Sequence, residues 1–147
     1  MHDGTCNHLR TYHNTVTRSK KFKEYLLRIN NELKGKEIYV NTIDGEMSMS
    51  KRNKIINEFK ENKKSILCTA KVLNEGVNIP IIDSICFVDT RKSTIDLIQC
   101  IGRSLRKYED KEMAYVIIPT IIKDINDDLN DDKFDNKKYN NLIRILK

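Results

Sequence analysis

Short apolar runs alternate along this chain with longer segments in which apolar residues recur every three or four positions. The short runs are rich in β-favouring residues, which predicts strands. Runs of this kind, separated by helical segments, are typical of a parallel sheet covered by helices on both sides. The predicted strands lie at residues 9–12, 38–43, 66–69, 84–88 and 115–118.

Two helices are predicted between the first three strands. The first runs from about residue 18 to 33, with Gly35 as its C-terminal cap. Its inward face is formed by four apolar residues at helical spacing: Phe22, Leu26, Ile29 and Leu33. The second is capped by Ser48 or Ser50 and carries Ile55, Ile56 and Phe59 inward.

A third helix carries the candidate chemistry. Ser93 and Asp96 form a capping-box-like start, and the spacing i, i+4, i+7 would place Gln99, Arg103 and Arg106 on one face. Ile98, Ile101 and Leu105 would point the opposite way. Two guanidiniums beside an amide suit a triphosphate, although a solvated face of an amphipathic helix gives the same pattern.

The order of several motifs resembles that of the superfamily 2 helicases and translocases. Their second RecA-like domain has a motif E-G-x-D-x-P followed by Q-x-x-G-R-x-x-R, which here correspond to residues 75–80 and 99–106. The intervening strand and the Ser-x-x-Asp helix start are most similar to the restriction-type DNA helicases, and the resemblance covers about residues 9–119. It implies a RecA-like α/β sandwich of three layers with a mainly parallel central sheet.

The resemblance also implies roles for particular residues. It implies that Arg103 and Arg106 act at the γ-phosphate of ATP. The implied nucleotide-binding residues are Glu75, Gly76, Asn78, Gln99 and Gly102. The implied nucleic-acid contacts are His13, Asn14, Thr15, Gly45, Thr69 and Lys71. An ordinary polar turn at residues 13–15, a tight Asp-Gly turn at Gly45 and a solvated Lys71 are the alternatives.

Two positions depart from the family pattern. Asn78 stands where an aspartate usually contacts the ribose, so the hydrogen-bonding capacity is kept and the charge is lost. Ala70 replaces a small hydroxyl residue that many relatives use on the nucleic-acid backbone. These departures leave open a non-catalytic nucleic-acid-binding or protein-binding module on the same fold, and the resemblance also leaves open a translocase lobe of a restriction-modification-like machine.

The sequence holds only half of an ATPase site. No G-x-x-x-x-G-K-[ST] loop occurs among its five glycines, and no Asp-Glu box that would hold magnesium occurs either. The resemblance implies ATP with Mg²⁺, the metal held mainly by a preceding RecA-like lobe of the same or a partner chain. We therefore expect a lobe of a larger protein, with a helicase C-terminal domain at 1–122 and, at 123–147, an acidic loop and the start of a helix that continues into a further region.

Charge and composition agree with this picture without deciding it. The net charge of +6 favours a polyanionic partner, which we expect to be nucleic acid, and DNA by resemblance alone. The four cysteines lack C-x-x-C spacing, which predicts free thiols, and we expect no metal site. No apolar run reaches membrane-spanning length and no signal peptide is evident, so the expectation is a soluble, intracellular protein.

Overall fold

Nine helices and strands are present in the part of the chain that a computed structural model describes, namely residues 6–32, 38–70, 78–90, 93–104, 106, 108, 111, 113–119 and 139–146. The strands are β1 (His8–His13), β2 (Tyr39–Asp44), β3 (Ser65–Ala70), β4 (Ser84–Phe87) and β5 (Tyr115–Ile117). The helices are α1 (Val16–Glu32), α2 (Met49–Glu61), α3 (Thr94–Ser104) and α4 (Asn140–Leu146).

The five strands form one parallel sheet in the order β2-β3-β1-β4-β5. Side chains alternate between the two faces of a strand, so His8 and His13 of β1 lie on opposite faces. The His13 ring lies 5.0 Å from that of Phe22 in α1, whereas the His8 ring lies 5.4 Å from that of Phe59 in α2. Helices therefore cover both faces, and the expected three-layer α/β sandwich is confirmed.

The core lies between the sheet and its helices. Many of its most completely buried side chains come from the strands, because a parallel sheet covered on both faces keeps water from both sets of strand side chains. The most completely buried side chains include Ile43, Phe59, Leu67, Ile85 and Phe87. All five predicted strands are confirmed, with bounds that differ by at most one residue at either end.

Two predicted helix faces are confirmed only in part: Phe22 and Leu26 of α1 are half-buried and Ile101 of α3 is buried, but one residue of each face is exposed. Ile29 in α1 is 50% exposed, and the buried residue of that helix is Ser19, whose hydroxyl donates to the Val16 carbonyl oxygen at 2.8 Å. In α3 the buried residues are Leu97, Cys100 and Ile101, whereas Ile98 is 53% exposed. The inward face of each helix is therefore rotated from the face that apolar spacing predicts. The neighbouring elements decide which side of a helix is covered, and hydrophobicity alone does not. Leu33, Gly35 and Leu105 lie outside the described residues.

The last helix packs on the domain itself. Helix α4 contacts α3, and Tyr139 and Leu142 belong to the core cluster. The Tyr139 hydroxyl donates to the Val88 carbonyl oxygen at 3.2 Å. Residues on both sides of the predicted boundary at 122 and 123 thus share one core, and continuation of this helix into a further region remains a prediction.

Candidate functional site

Among the described candidate residues, Asn14, Thr15 and Gly45 follow the carboxyl ends of strands in the sheet. Strands β1 to β4 are parallel, so the segments that follow them emerge on the same side. From β1 the chain continues toward β2, at one end of the strand order, whereas from β4 it continues toward β5, at the other end. A reversal of this kind between neighbouring strands opens a crevice at their carboxyl ends, where open α/β sheets bind ligands.

The turn between β1 and α1 forms one wall of this crevice. Asn14 and Thr15 are both exposed, and the Thr15 hydroxyl accepts a hydrogen bond from the Arg18 N–H at 3.2 Å. The Thr15 carbonyl oxygen accepts from the Ser19 N–H at 3.1 Å, so Thr15 caps the helix. The Asn14 side-chain amide donates to the Thr90 carbonyl oxygen at 3.3 Å, which ties this turn to the segment after β4.

Asp89 organises the same turn from the β4 side. Its carboxylate is 7% exposed and accepts from the Asn14 N–H at 2.9 Å and from the Arg18 guanidinium at 2.8 Å. Its own N–H donates to the Tyr12 carbonyl oxygen at 3.3 Å. The sequence prediction missed Asp89 and Arg18. The available signal was an acidic residue directly after a buried strand.

Two of the expected nucleic-acid contacts, His13 and Thr69, have buried side chains, and their contact with nucleic acid remains a prediction. His13 is 1% exposed, and its Nε2 hydrogen-bonds the Thr11 hydroxyl at 2.9 Å. Thr69 is 2% exposed, and its hydroxyl donates to the Thr11 carbonyl oxygen at 2.8 Å and accepts from Arg10 Nε at 3.3 Å. The Thr69 side chain thus joins β3 to β1, whereas this bond of His13 lies within β1.

Gly45 lies exposed in the turn between β2 and α2. The Asp44 carboxylate accepts from the Glu46 N–H at 3.0 Å, which closes a local turn around Gly45. Arg52, only 4% exposed, donates from one guanidinium nitrogen to the carbonyl oxygens of Asp44 at 3.3 Å and Met47 at 3.5 Å. This buried arginine fixes the turn, and nothing in the local sequence distinguished it from the solvated lysines around it.

Helix α3 presents part of the predicted arginine motif. The Ser93 hydroxyl accepts from the Asp96 N–H at 3.2 Å, which confirms the predicted cap. Gln99 and Gly102 are exposed, and a Cβ atom added at Gly102 would meet no heavy atom of the described residues within 4 Å, its chain neighbours and the backbone of the helix aside. Space for a ligand is therefore open beside this part of the helix.

One of the two arginines is placed differently from the prediction. Arg103 belongs to α3, although its side chain lies outside what the structure describes. Arg106 is exposed and follows the described end of the helix at Ser104, so a single helical face does not extend through it. The Lys111 ammonium donates to the Arg106 carbonyl oxygen at 3.1 Å. Burial lowers the pKa of Lys111, and the negative charge of Asp83 offsets part of this decrease.

The second predicted nucleotide-binding motif is only partly described. Asn78 is exposed. Glu75, Gly76 and Lys71 lie outside the described residues, and their roles remain predictions.

Comparison with protein families decides what kind of domain this is. Residues 7–108 match the family described as the helicase conserved C-terminal domain. The chain belongs to this family. It is a helicase C-terminal domain of superfamily 2, and its RecA-like fold and its restriction-type motif pattern agree with the similarities below.

Two relatives illustrate the similarity of this helicase domain in sequence. It is 32% identical over 94 residues to irc3 of Schizosaccharomyces pombe, which carries the name of a mitochondrial ATP-dependent helicase, covering 64% of this chain and 16% of that protein. It is 33% identical over 88 residues to the ATP-dependent RNA helicase DDX42 of Gallus gallus, covering 60% of this chain and 9% of the relative. The chain thus spans less than a fifth of the length of either relative.

Solved structures resemble the helicase domain in fold. The ATP-dependent Type ISP restriction-modification enzyme LlaBIII bound to DNA superposes with a TM-score of 0.68 at 28% identity, covering 80% of this chain and 8% of that one. Domain 2 of the DEAD-box helicase Mss116p bound to an RNA duplex gives a TM-score of 0.56 at 22% identity, covering 76% of this chain and 41% of that one. Among the helices in the described parts of the domain, none has the length and apolarity to cross a membrane.

Proposed function

We propose that this domain is the C-terminal motor lobe of an ATP-dependent helicase or translocase that acts on DNA. In this proposal Arg103 and Arg106 complete an ATP site against a Walker-containing lobe outside the chain. The carboxyl edge of the sheet, with Asn14, Thr15 and Gly45, grips the nucleic-acid backbone. The whole protein's activity depends on both halves.

The observation that carries the proposal is the arrangement of α3. Its Ser93 cap lies close after β4, and its exposed Gln99 and Gly102 leave open space beside the backbone. Arg103 occupies the same helix and Arg106 is exposed just beyond it. An amide and a glycine beside two permanent positive charges fit one side of a triphosphate.

The domain's own groups bind and orient, whereas the chemistry is that of the nucleotide. ATP with Mg²⁺ would supply the phosphoryl group that is transferred to water. Gln99, and Asn78 as a neutral hydrogen-bonding group, would orient the nucleotide. The arginines would stabilise negative charge on the transferred group. Their contacts to the γ-phosphate would favour a closed arrangement of the two lobes, and hydrolysis would remove these contacts.

Steady-state ATP hydrolysis by the complete protein that carries this domain tests the arginine assignment. Arg103→Ala should lower turnover roughly a thousandfold or more, because an arginine at the transferred phosphoryl group contributes that much in related ATPases. Lys63→Ala is the matched control, since it removes one positive charge from an exposed residue between α2 and β3. Equal turnover in the two variants would contradict the motor proposal and favour a non-catalytic binding module.

A second candidate is the translocase lobe of a restriction-like machine, which moves along duplex DNA without separating its strands. The observation that favours it is the similarity to the LlaBIII enzyme, at a TM-score of 0.68 and 28% identity. Displacement of a triplex-forming strand by the complete protein, without displacement of a strand from a duplex, would support it. The opposite result would support a strand-separating helicase.

A further inference from the structure

A cleft of about 250 Å³ opens beside the turn between β1 and α1. One wall comes from α1 and contains Arg18, Lys21 and Tyr25. The other comes from the segment directly after β4 and contains Val88 and Asp89. The cleft adjoins Asn14 and Thr15, yet its charged and aromatic groups form a distinct surface along the helix.

The α1 wall combines two cations with an exposed aromatic ring. Arg18, Lys21 and Tyr25 have the spacing i, i+3, i+7 and therefore follow one stripe of the helix. The Arg18 side chain is 62% exposed and Tyr25 is 58% exposed. Cations beside an exposed ring are the combination with which proteins hold single-stranded nucleic acid, the phosphate on the charge and a base stacked on the ring.

Asp89 gives this surface a defined geometry. Its nearly buried carboxylate binds one guanidinium nitrogen of Arg18 at 2.8 Å and the Asn14 N–H at 2.9 Å. The guanidinium is thereby held from the sheet side while most of the side chain stays open to solvent. Such pre-organisation lowers the conformational entropy that a flexible arginine loses on binding a ligand.

We propose that this cleft binds one nucleotide unit of single-stranded nucleic acid. Arg18 and Lys21 take the phosphate, Tyr25 stacks on the base, and Asp89 is a positioning residue that orients Arg18. The proposal rests on the proposed function and deepens it, because it extends the nucleic-acid track from Asn14 and Thr15 along α1.

Fluorescence anisotropy of the 147-residue chain with a labelled single strand and a labelled duplex, at several salt concentrations, tests the cleft. Arg18→Gln and Lys21→Gln should each weaken single-strand binding several-fold and reduce the slope of log affinity against log salt by about 0.7, the value for one phosphate contact. Lys63→Gln, which removes the same charge at the opposite edge of the sheet, should leave the slope unchanged.

Tyr25→Leu separates stacking from charge. It keeps an apolar side chain of helical propensity and removes the ring, so single-strand affinity should fall roughly tenfold while duplex affinity stays the same, because bases in a duplex are not free to stack on a side chain. An equal loss for both nucleic acids would overturn the stacking role.

Asp89→Asn tests the positioning role through the direction of the change in nucleic-acid affinity. Removal of a negative charge beside a phosphate would by charge alone tighten binding, whereas loss of the group that orients Arg18 weakens it. We expect weaker binding, and no further loss when Asp89→Asn is added to Arg18→Gln, because the two act through one contact. Tighter binding by Asp89→Asn would overturn the positioning role, and circular dichroism would verify that each variant is folded.

The outcomes separate the two proposals. If the unmodified chain binds nucleic acid and the Arg18, Lys21 and Tyr25 variants match Lys63→Gln, the cleft proposal is wrong and the motor proposal stands. If the unmodified chain binds neither strand nor duplex at low salt, the cleft proposal fails together with the nucleic-acid part of the motor proposal. Arg18 and Lys21 are exposed, so their variants remain informative even if Asp89→Asn fails to fold.

Discussion

At the scale of single residues, burial sets the chemistry of two cysteines. Cys68 is 0% exposed and Cys86 is 8% exposed. Desolvation raises the pKa of each thiol from 9.0 to about 11. For Cys68, a hydrogen bond with the Thr11 side chain lowers the pKa and offsets part of this increase. In the described parts of the chain all four cysteines are free thiols, as the lack of C-x-x-C spacing predicts.

These raised pKa values predict a loss of stability at alkaline pH. Above pH 9 the two thiols lose their protons in the unfolded chain but keep them in the folded chain. The free energy of unfolding therefore falls as pH rises from the pKa of the unfolded thiols toward the raised pKa of the folded thiols. Urea unfolding at about pH 8 and about pH 9.5 should show a decrease on the order of 1 kcal/mol from these two groups. The variant with both Cys68→Ala and Cys86→Ala should lose less stability over the same interval, and an unchanged pH dependence would contradict this account.

At the scale of elements, a hydrogen bond at the start of α2 shows which serine caps the helix. Ser48 is the N-cap, and its hydroxyl accepts from the Lys51 N–H at 3.3 Å. The sequence left Ser48 and Ser50 as alternatives because a serine at either position can cap a helix. The structure places Ser50 inside the first turn, where its side chain is exposed.

This placement predicts opposite effects for two similar substitutions. Ser48→Ala should lower the free energy of unfolding by about 0.5 to 2 kcal/mol, because an N–H of the first turn loses its acceptor. Ser50→Ala, which introduces a better helix former at an exposed helical position, should be neutral or slightly stabilising. Urea unfolding followed by circular dichroism measures both changes, and equal midpoints for the two variants would count against Ser48 as the cap.

At the scale of the whole molecule, one carboxylate joins distant parts of the chain at the amino edge of the sheet. Asp83 accepts from the Asn7 N–H at 2.9 Å and from the His8 N–H at 3.1 Å, across 76 and 75 residues. Its backbone N–H donates to the His8 carbonyl oxygen at 3.2 Å, and its own carbonyl oxygen accepts from the Tyr115 N–H at 2.8 Å. Asp83 thus aligns β1, β4 and β5.

Asp83→Asn should lower the free energy of unfolding of the whole domain by about 1 to 3 kcal/mol, because an amide nitrogen cannot accept and at least one N–H loses its present acceptor. Unfolding should remain a single transition by fluorescence and by circular dichroism, since the contact lies within one cooperative core. Glu61→Gln at an exposed position is the matched control. A variant as stable as this control would show that Asp83 contributes nothing to alignment.

The sequence by itself determined the local structure and the family. Apolar runs predict β3, β4 and β5 because strands covered by helices on both faces are rich in apolar residues, and that constraint is visible in the chain. The helix that carries Gln99, Gly102 and Arg103 was also predictable, because its Ser93 cap and its periodicity are properties of neighbouring residues. The order of the motifs resembles the helicase family to which residues 7–108 belong.

Only the tertiary structure decided which polar residues face solvent and which join distant segments. The resemblance implies nucleic-acid contacts for His13 and Thr69, whereas the sheet and its covering helices bury both side chains. The bonds of Asp89 to Asn14 and Arg18, and of Asp83 to Asn7 and His8, join residues more than 70 positions apart. Hydrogen-bond partners at such separations are set by strand order and register, and no spacing within a local pattern encodes them.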